Sequence, residues 1–191
     1  MTEVALSQLW LPILLSAVIV FVASAIVWML LPHHRTDWRR LPEEDAMLDA
    51  VRRQAATPGQ YAFPNCRTAA DMKNPAIVEK WKQGPWGSIV LLGGPPNMGK
   101  ALPVWFVYLL VVSLFVAYVA KHALGPSAPY LRVFQITGAV AFLAYAGGAV
   151  PKAIWEGKPA SVAFKDACDG LVYALLTAGM FGWLWPHTAT A

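Results

Sequence analysis

Four stretches of the chain carry no charge: Val4 to Pro32, Ala101 to Ala120, Val133 to Val150 and Gly170 to Trp185. The clearest is Ala101 to Ala120, ALPVWFVYLLVVSLFVAYVA, bracketed by Lys100 and Lys121. A helix rises about 1.5 Å per residue, so roughly 20 such residues match the ~30 Å hydrocarbon core of a bilayer. The pattern predicts an all-α integral membrane protein with four transmembrane helices. The apolar centre of the first runs from about Leu9 to Leu31. Trp10 and Trp28 sit near its ends, where an indole is at home at the interface. Pro12 falls in its first turn, and His33, His34 and Arg35 mark its exit.

Residues 33–100 read as a small cap on the membrane rather than a domain with its own full core. Pro42 to Gln54 predicts a short helix: acids Glu43, Glu44 and Asp45 face the positive end of its dipole, Arg52 and Arg53 the negative end. Asp49 can pair with Arg52 or Arg53. Met47, Leu48, Val51 and Ala55 form one apolar stripe, which needs the bilayer surface, the rest of the segment or another protein against it. Gln60 to Cys66 reads as extended. Asn74 caps a second short helix, Pro75 to Gln83, with Gly84 as its stop. Ser88 to Leu92 reads as a strand or an interfacial segment, and residues 93–97 as a loop.

All but Lys121 and Arg132 of the 15 lysines and arginines fall on one side if residues 33–100 are cytoplasmic. The positive-inside bias therefore gives this organisation: residues 1–32, a first transmembrane helix with the N-terminus outside; residues 33–100, the cytoplasmic cap; residues 101–191, a three-helix transmembrane region with the C-terminus outside. The short, proline-containing link from Lys121 to Leu131 makes the second and third spans antiparallel neighbours.

Composition agrees: 57% hydrophobic, 14% charged, mean hydropathy +0.47. The net charge of +4 does not indicate nucleic acid, because the basic residues sort by side of the membrane instead of forming a patch. Cys66 and Cys168 are far apart and form no C-x-x-C, so neither a disulfide framework nor a zinc ribbon follows. Glu3 and the lack of a basic start argue against a cleaved signal peptide.

In lipid, small residues carry helix association. Ala174, Ala178 and Gly182 in the fourth span, and Thr137, Ala141, Ala144 and Gly148 in the third, are candidate packing faces. Among ionisable groups, Lys165, Asp166 and Asp169 stand at the entry of the fourth span. Lys165 and Asp169 are i, i+4 and can pair, and acids near a helix start suit the dipole. The bland reading is a helix start with satisfied charges; the functional one is a gate, or a contact with a partner or headgroup. Gly94 to Lys100 matches G-x-x-x-x-G-K, but Pro95 and Pro96 remove two N–H groups and Ala101 stands where magnesium needs Ser or Thr. His122 and His187, at the outer ends of the second and fourth spans, have no carboxylate or thiol near them in sequence. No metal, no cofactor and no catalytic set is expected. Ser16, Ser24 and Ser113 are expected to bond back to their own helices.

Tyr61-Ala62-Phe63-Pro64, Asn97-Met98-Gly99-Lys100, Asp169-Gly170-Leu171-Val172-Tyr173 and Gly182-Trp183-Leu184-Trp185-Pro186 resemble runs in an uncharacterised family of small four-span bacterial inner-membrane proteins. The resemblance covers most of the chain after residue 33. It implies a multi-pass protein of the bacterial plasma membrane and brings no activity. The function expected is a non-enzymatic accessory, assembly or scaffold subunit that meets another membrane protein or a second copy of itself. Met47, Leu48 and Val51, with Lys165, Asp166 and Asp169, are the candidate partner or gate contacts. Two alternatives stand beside it. One is a small oligomeric channel or permease for a neutral solute, lined by Gln135, Thr137 and Tyr145. The other is a lipid-acting enzyme using Lys165, Asp166 or Asp169.

Overall fold

The structure, a computed structural model, describes residues 4–66 and 68–187. Glu3, Arg67 and the tail after His187, all read above from sequence, lie outside them. The chain is about 66% helical and divides into two compact units, Met1–Asp37 with Asn97–Ala191, and Trp38–Pro96.

The first unit holds α1 (Trp10–Ala25), extended at its two ends by a 3-10 turn at Leu6–Leu9 and a π turn at Ile26–Leu30. Four helices from the other end of the chain complete it. They are α4 (Met98–Ala123), α5 (Tyr130–Ala146), the short α6 (Ala149–Trp155) and α7 (Ala160–Trp183). Three stretches are long and apolar enough to cross a membrane: Leu6–Leu30, Met98–Ala123 and Tyr130–Trp155. The third comprises α5 and α6 with a turn at Gly147-Gly148 between them. The expected fourth span is the later part of α7, a helix that starts at Ala160 instead of Gly170. This early start takes Lys165, Asp166 and Asp169 into the helix.

Many large apolar side chains point outward while small ones fill much of the interior, beside the buried Leu9, Leu109, Phe181 and Trp185. Val107, Phe115, Leu143 and Leu175 are exposed, while Ala17, Ala117, Ala141 and Ala178 are fully buried. A fold governed by water would reverse this; one governed by lipid packs through small residues and leaves its bulk to the acyl chains. The most extensive contact joins α5 and α7. Thr137, Ala141, Ala174, Ala178 and Gly182 are all buried there or close by. Thr137 and Thr177 donate to the carbonyls of Val133 and Tyr173, so neither hydroxyl is lost in the interior. Two residues leave the expected face. Ala144 is exposed, and Gly148 lies beyond the end of α5, exposed, with nothing within 4 Å of where a Cβ would be. The i+4 spacing fails because the helix stops at Ala146.

A Cβ at Gly182 would fall 2.7 Å from the ring of Tyr130, which starts α5. Gly182→Leu is therefore expected to displace Tyr130 and lower the melting temperature in detergent, a shift that thermal circular dichroism would register. The serines divide. Ser24 donates to the Phe21 carbonyl and accepts from Trp105, whereas the hydroxyls of Ser16 and Ser113 are buried with no partner, contrary to the back-bonding expected of them.

The second unit contains α2 (Glu44–Arg53), β1 (Gly59–Phe63), α3 (Pro75–Gln83) and β2 (Gly87–Leu91). The strands pair antiparallel from Gly59 opposite Leu91 to Phe63 opposite Gly87. A Cβ at Gly87 would lie 2.8 Å from the Phe63 ring, so a side chain there would have to turn the ring aside. Asn74 caps α3 by accepting from the Ala76 N–H, and Arg52 pairs with Asp49 along α2. In the first unit, Asn97 caps α4 by accepting from the Lys100 N–H, so the end of the G-x-x-x-x-G-K match is a helix start.

Candidate functional site

The site is built where the chain leaves its first long helix. Past the π turn, Leu31 is extended, and Pro32 opens a tight turn in which Arg35 N–H donates to Pro32 O and Asp37 N–H to His34 O. This turn presents His33, His34 and Asp37 to α7. On α7, Lys165 and Asp169 lie one turn apart on the same face. Each takes its partners from the turn and not from the other, which corrects the local Lys165–Asp169 pair expected from spacing.

The Lys165 ammonium donates to Asp37 Oδ1 at 2.6 Å, to the His33 carbonyl at 2.6 Å and to Thr36 Oγ1 at 3.0 Å. Asp169 meets both histidines: His34 Nε2 lies 2.6 Å from Oδ2 and His33 Nε2 3.2 Å from Oδ1. The other nitrogen of His34, Nδ1, is 2.6 Å from Asp37 Oδ2. A ring with a carboxylate oxygen on each nitrogen satisfies both contacts as a double donor, which favours the protonated form of His34. Burial alone would lower the His34 pKa; the bonds to Asp37 and Asp169 outweigh it and raise it above the ordinary 6.5. Lys165, and then His34, hold the Asp37 carboxyl below its usual range. The Trp28 indole lies parallel to the His34 ring with centroids 4.0 Å apart, a cation–π stack that favours the same charged form. His34 and Lys165 balance Asp37 and Asp169, so the core of the cluster is neutral overall.

The dipole explanation for the acids on α7 also fails. Asp169 lies well past the first turn of α7, beyond the reach of the N-terminal partial charge, and its side chain is only 12% exposed. Asp166 pairs with Lys158. Beside the cluster is a cavity of about 370 Å³, lined by Trp28, Trp105, Tyr145, Asp166, Asp169 and Tyr173, among others. The hydroxyls of Tyr145 and Tyr173 are buried and lack a hydrogen-bond partner of normal geometry. Among the described residues, His33, His34 and Asp169 form the one group that could hold a metal ion, with donor atoms all within 4.8 Å of one another.

The other sequence candidates lie elsewhere. Met47 and Val51 face β1 and β2, lining with Tyr61, Phe63, Ile89 and Leu91 an apolar cavity of about 690 Å³. Leu48 is 44% exposed. In the sequence, His33 and His34 read, with Arg35, only as an exit from the membrane, and Asp37 carries no role. The available signal was two imidazoles with an acid at i+3, directly after a span.

Comparison of the chain with family models, curated proteins and solved structures gives no match.

Proposed function

We propose that the chain is a four-span protein of the bacterial inner membrane and a non-enzymatic accessory, assembly or scaffold subunit, docked to a partner protein through residues 38–96. The observation that carries this reading is that no described residue from 38 to 96 is buried. Yet Trp38, Met72, Trp81, Trp86 and Leu92 are each more than half exposed. A short unit with aromatic residues on its surface and nothing buried needs a cover. Acids favour a protein over the bilayer as that cover: α2 carries Glu44, Asp45 and Asp49 beside Arg52 and Arg53, unlike the basic amphipathic helices that lie on anionic lipid. The partner is another membrane protein or a second copy of this chain.

Support for the fourth span comes from α7, which packs along α5 and α1 and so shares their depth. The positive-inside bias supports both termini outside and residues 38–96 in the cytoplasm. A neutral path through Gln135, Thr137 and Tyr145 lacks comparable support, because Gln135 is exposed while Thr137 is fully buried with its hydroxyl on Val133. Lipid chemistry at Lys165, Asp166 or Asp169 would need a free group, and all three are ion-paired.

A photo-crosslinking side chain at Trp81 or Trp86, activated in native membranes, tests the reading. One discrete protein adduct, with a different chain or a second copy, is expected. Adducts to lipid alone, or none, would rule out docking through this unit.

A further inference from the structure

We propose that His33, His34 and Asp169 hold one divalent transition-metal ion of the zinc class, with Asp37 as the outer carboxylate that fixes His34. This goes beyond partner docking and does not depend on it.

The first ground is convergence. Asp169 already has His34 as a close partner, and Asp37 has both His34 and Lys165. His33 nevertheless places Nε2 3.2 Å from Asp169 Oδ1, its ring centroid 4.1 Å from that of His34. Ligands held about 2.0–2.1 Å from a tetrahedral zinc stand roughly 3.4 Å apart; the three donors already lie within 4.8 Å of one another, and His34 Nε2 and Asp169 Oδ2, now 2.6 Å apart, would open to admit the ion. Two imidazoles and a carboxylate suit zinc and its neighbours, whereas magnesium and calcium select oxygen.

The second ground is the outer layer. Metal-bound histidines commonly give their remaining N–H to a carboxylate, which fixes the tautomer and turns the other nitrogen to the ion. Asp37 Oδ2 holds His34 Nδ1 in this way, and Lys165 ties Asp37 and the His33 carbonyl together. Binding replaces the Nε2 proton of His34 with the ion, and the proton leaves to solvent.

The third ground is the cavity. Three protein ligands leave a coordination position for water or a small ligand. Asp169 lines a cavity together with Tyr145 and Tyr173, whose buried hydroxyls lack a hydrogen bond of normal geometry. A water carried by the ion would be a partner for them.

The full chain, solubilised in mild detergent and stripped with chelator, would be titrated with zinc by calorimetry and with cobalt(II) by visible absorption. One zinc per chain, a rise in melting temperature on adding it, and cobalt bands of a low-coordinate nitrogen–oxygen site are expected. Magnesium should give no signal. His33→Ala should weaken zinc at least tenfold and remove the zinc-induced melting shift, read against the variant's own metal-free curve; His33→Gln is read identically should the alanine variant not fold. Asp37→Asn should cost roughly 10–100-fold in affinity. No zinc binding by the wild type, or binding that both His33 variants retain unchanged, would overturn the site.

Discussion

Asp169→Ala is expected to destabilise the metal-free protein by about 3–5 kcal/mol, the usual cost of breaking a buried ion pair from one side. The loss is large because of what remains behind. His34, 5% exposed at its side chain, would keep its charge against Asp37 alone and lose the acceptor on Nε2, and His33 would lose its partner too. The turn at residues 33–37 would then be held to α7 by Lys165 only. Arg52→Ala is the matching control: its pair with Asp49 is exposed on both sides, and such pairs contribute roughly 0–1 kcal/mol. Because His34 and Asp169 touch, the double variant His34→Ala with Asp169→Ala should fall short of the summed single losses by about 1–3 kcal/mol. Denaturant unfolding in detergent measures all four variants. A change at Asp169 no larger than the one at Arg52 would mean that the cluster does not hold α1 to α7.

Gly170→Leu is expected to be the most damaging single change at a helix contact. A Cβ at Gly170 would lie 2.9 Å from both the amide nitrogen and the Cβ of Ala146. Side chains can rotate away from a newcomer, but a backbone amide cannot, so α5 and α7 must separate. Overpacking a tight core costs roughly 1–3 kcal/mol where side chains can yield, and this site sits at or above the upper end. Gly148→Ala, in open space two positions beyond Ala146, should stay within about 0.5 kcal/mol of the parent. Melting curves of the two variants side by side give the answer. Equal behaviour would show that the helices have slack the structure does not suggest.

Long, charge-free runs made three membrane-length helices legible in the sequence, because twenty apolar residues have few other places to go. Local chemistry also read well. Asn74 caps α3 and Asp49 reaches Arg52, each decided by residues a few positions apart. What escaped depends on distant segments. Spacing made Lys165 and Asp169 partners of each other; the fold gives them instead to Asp37 and His34, more than a hundred residues away. The start of α7 was placed too late for a related reason. Charges mark the end of the apolar segment in the sequence, but residues 33–37 neutralise Lys165 and Asp169 inside the helix, and Lys158 neutralises Asp166. The candidate site was thus half visible, as two acids and a lysine, while its imidazoles passed for a membrane boundary.

The bond between His34 and Asp169 spans 135 positions of sequence and joins the turn after α1 to α7. A ribosome has delivered α1, the intervening unit, α4 and α5 before the acid that His34 awaits has been synthesised. Until then the imidazole can be served only by Asp37 and water. Closure of this bundle therefore waits on synthesis of α7: the nascent protein keeps α1 unclasped while all the intervening helices are made.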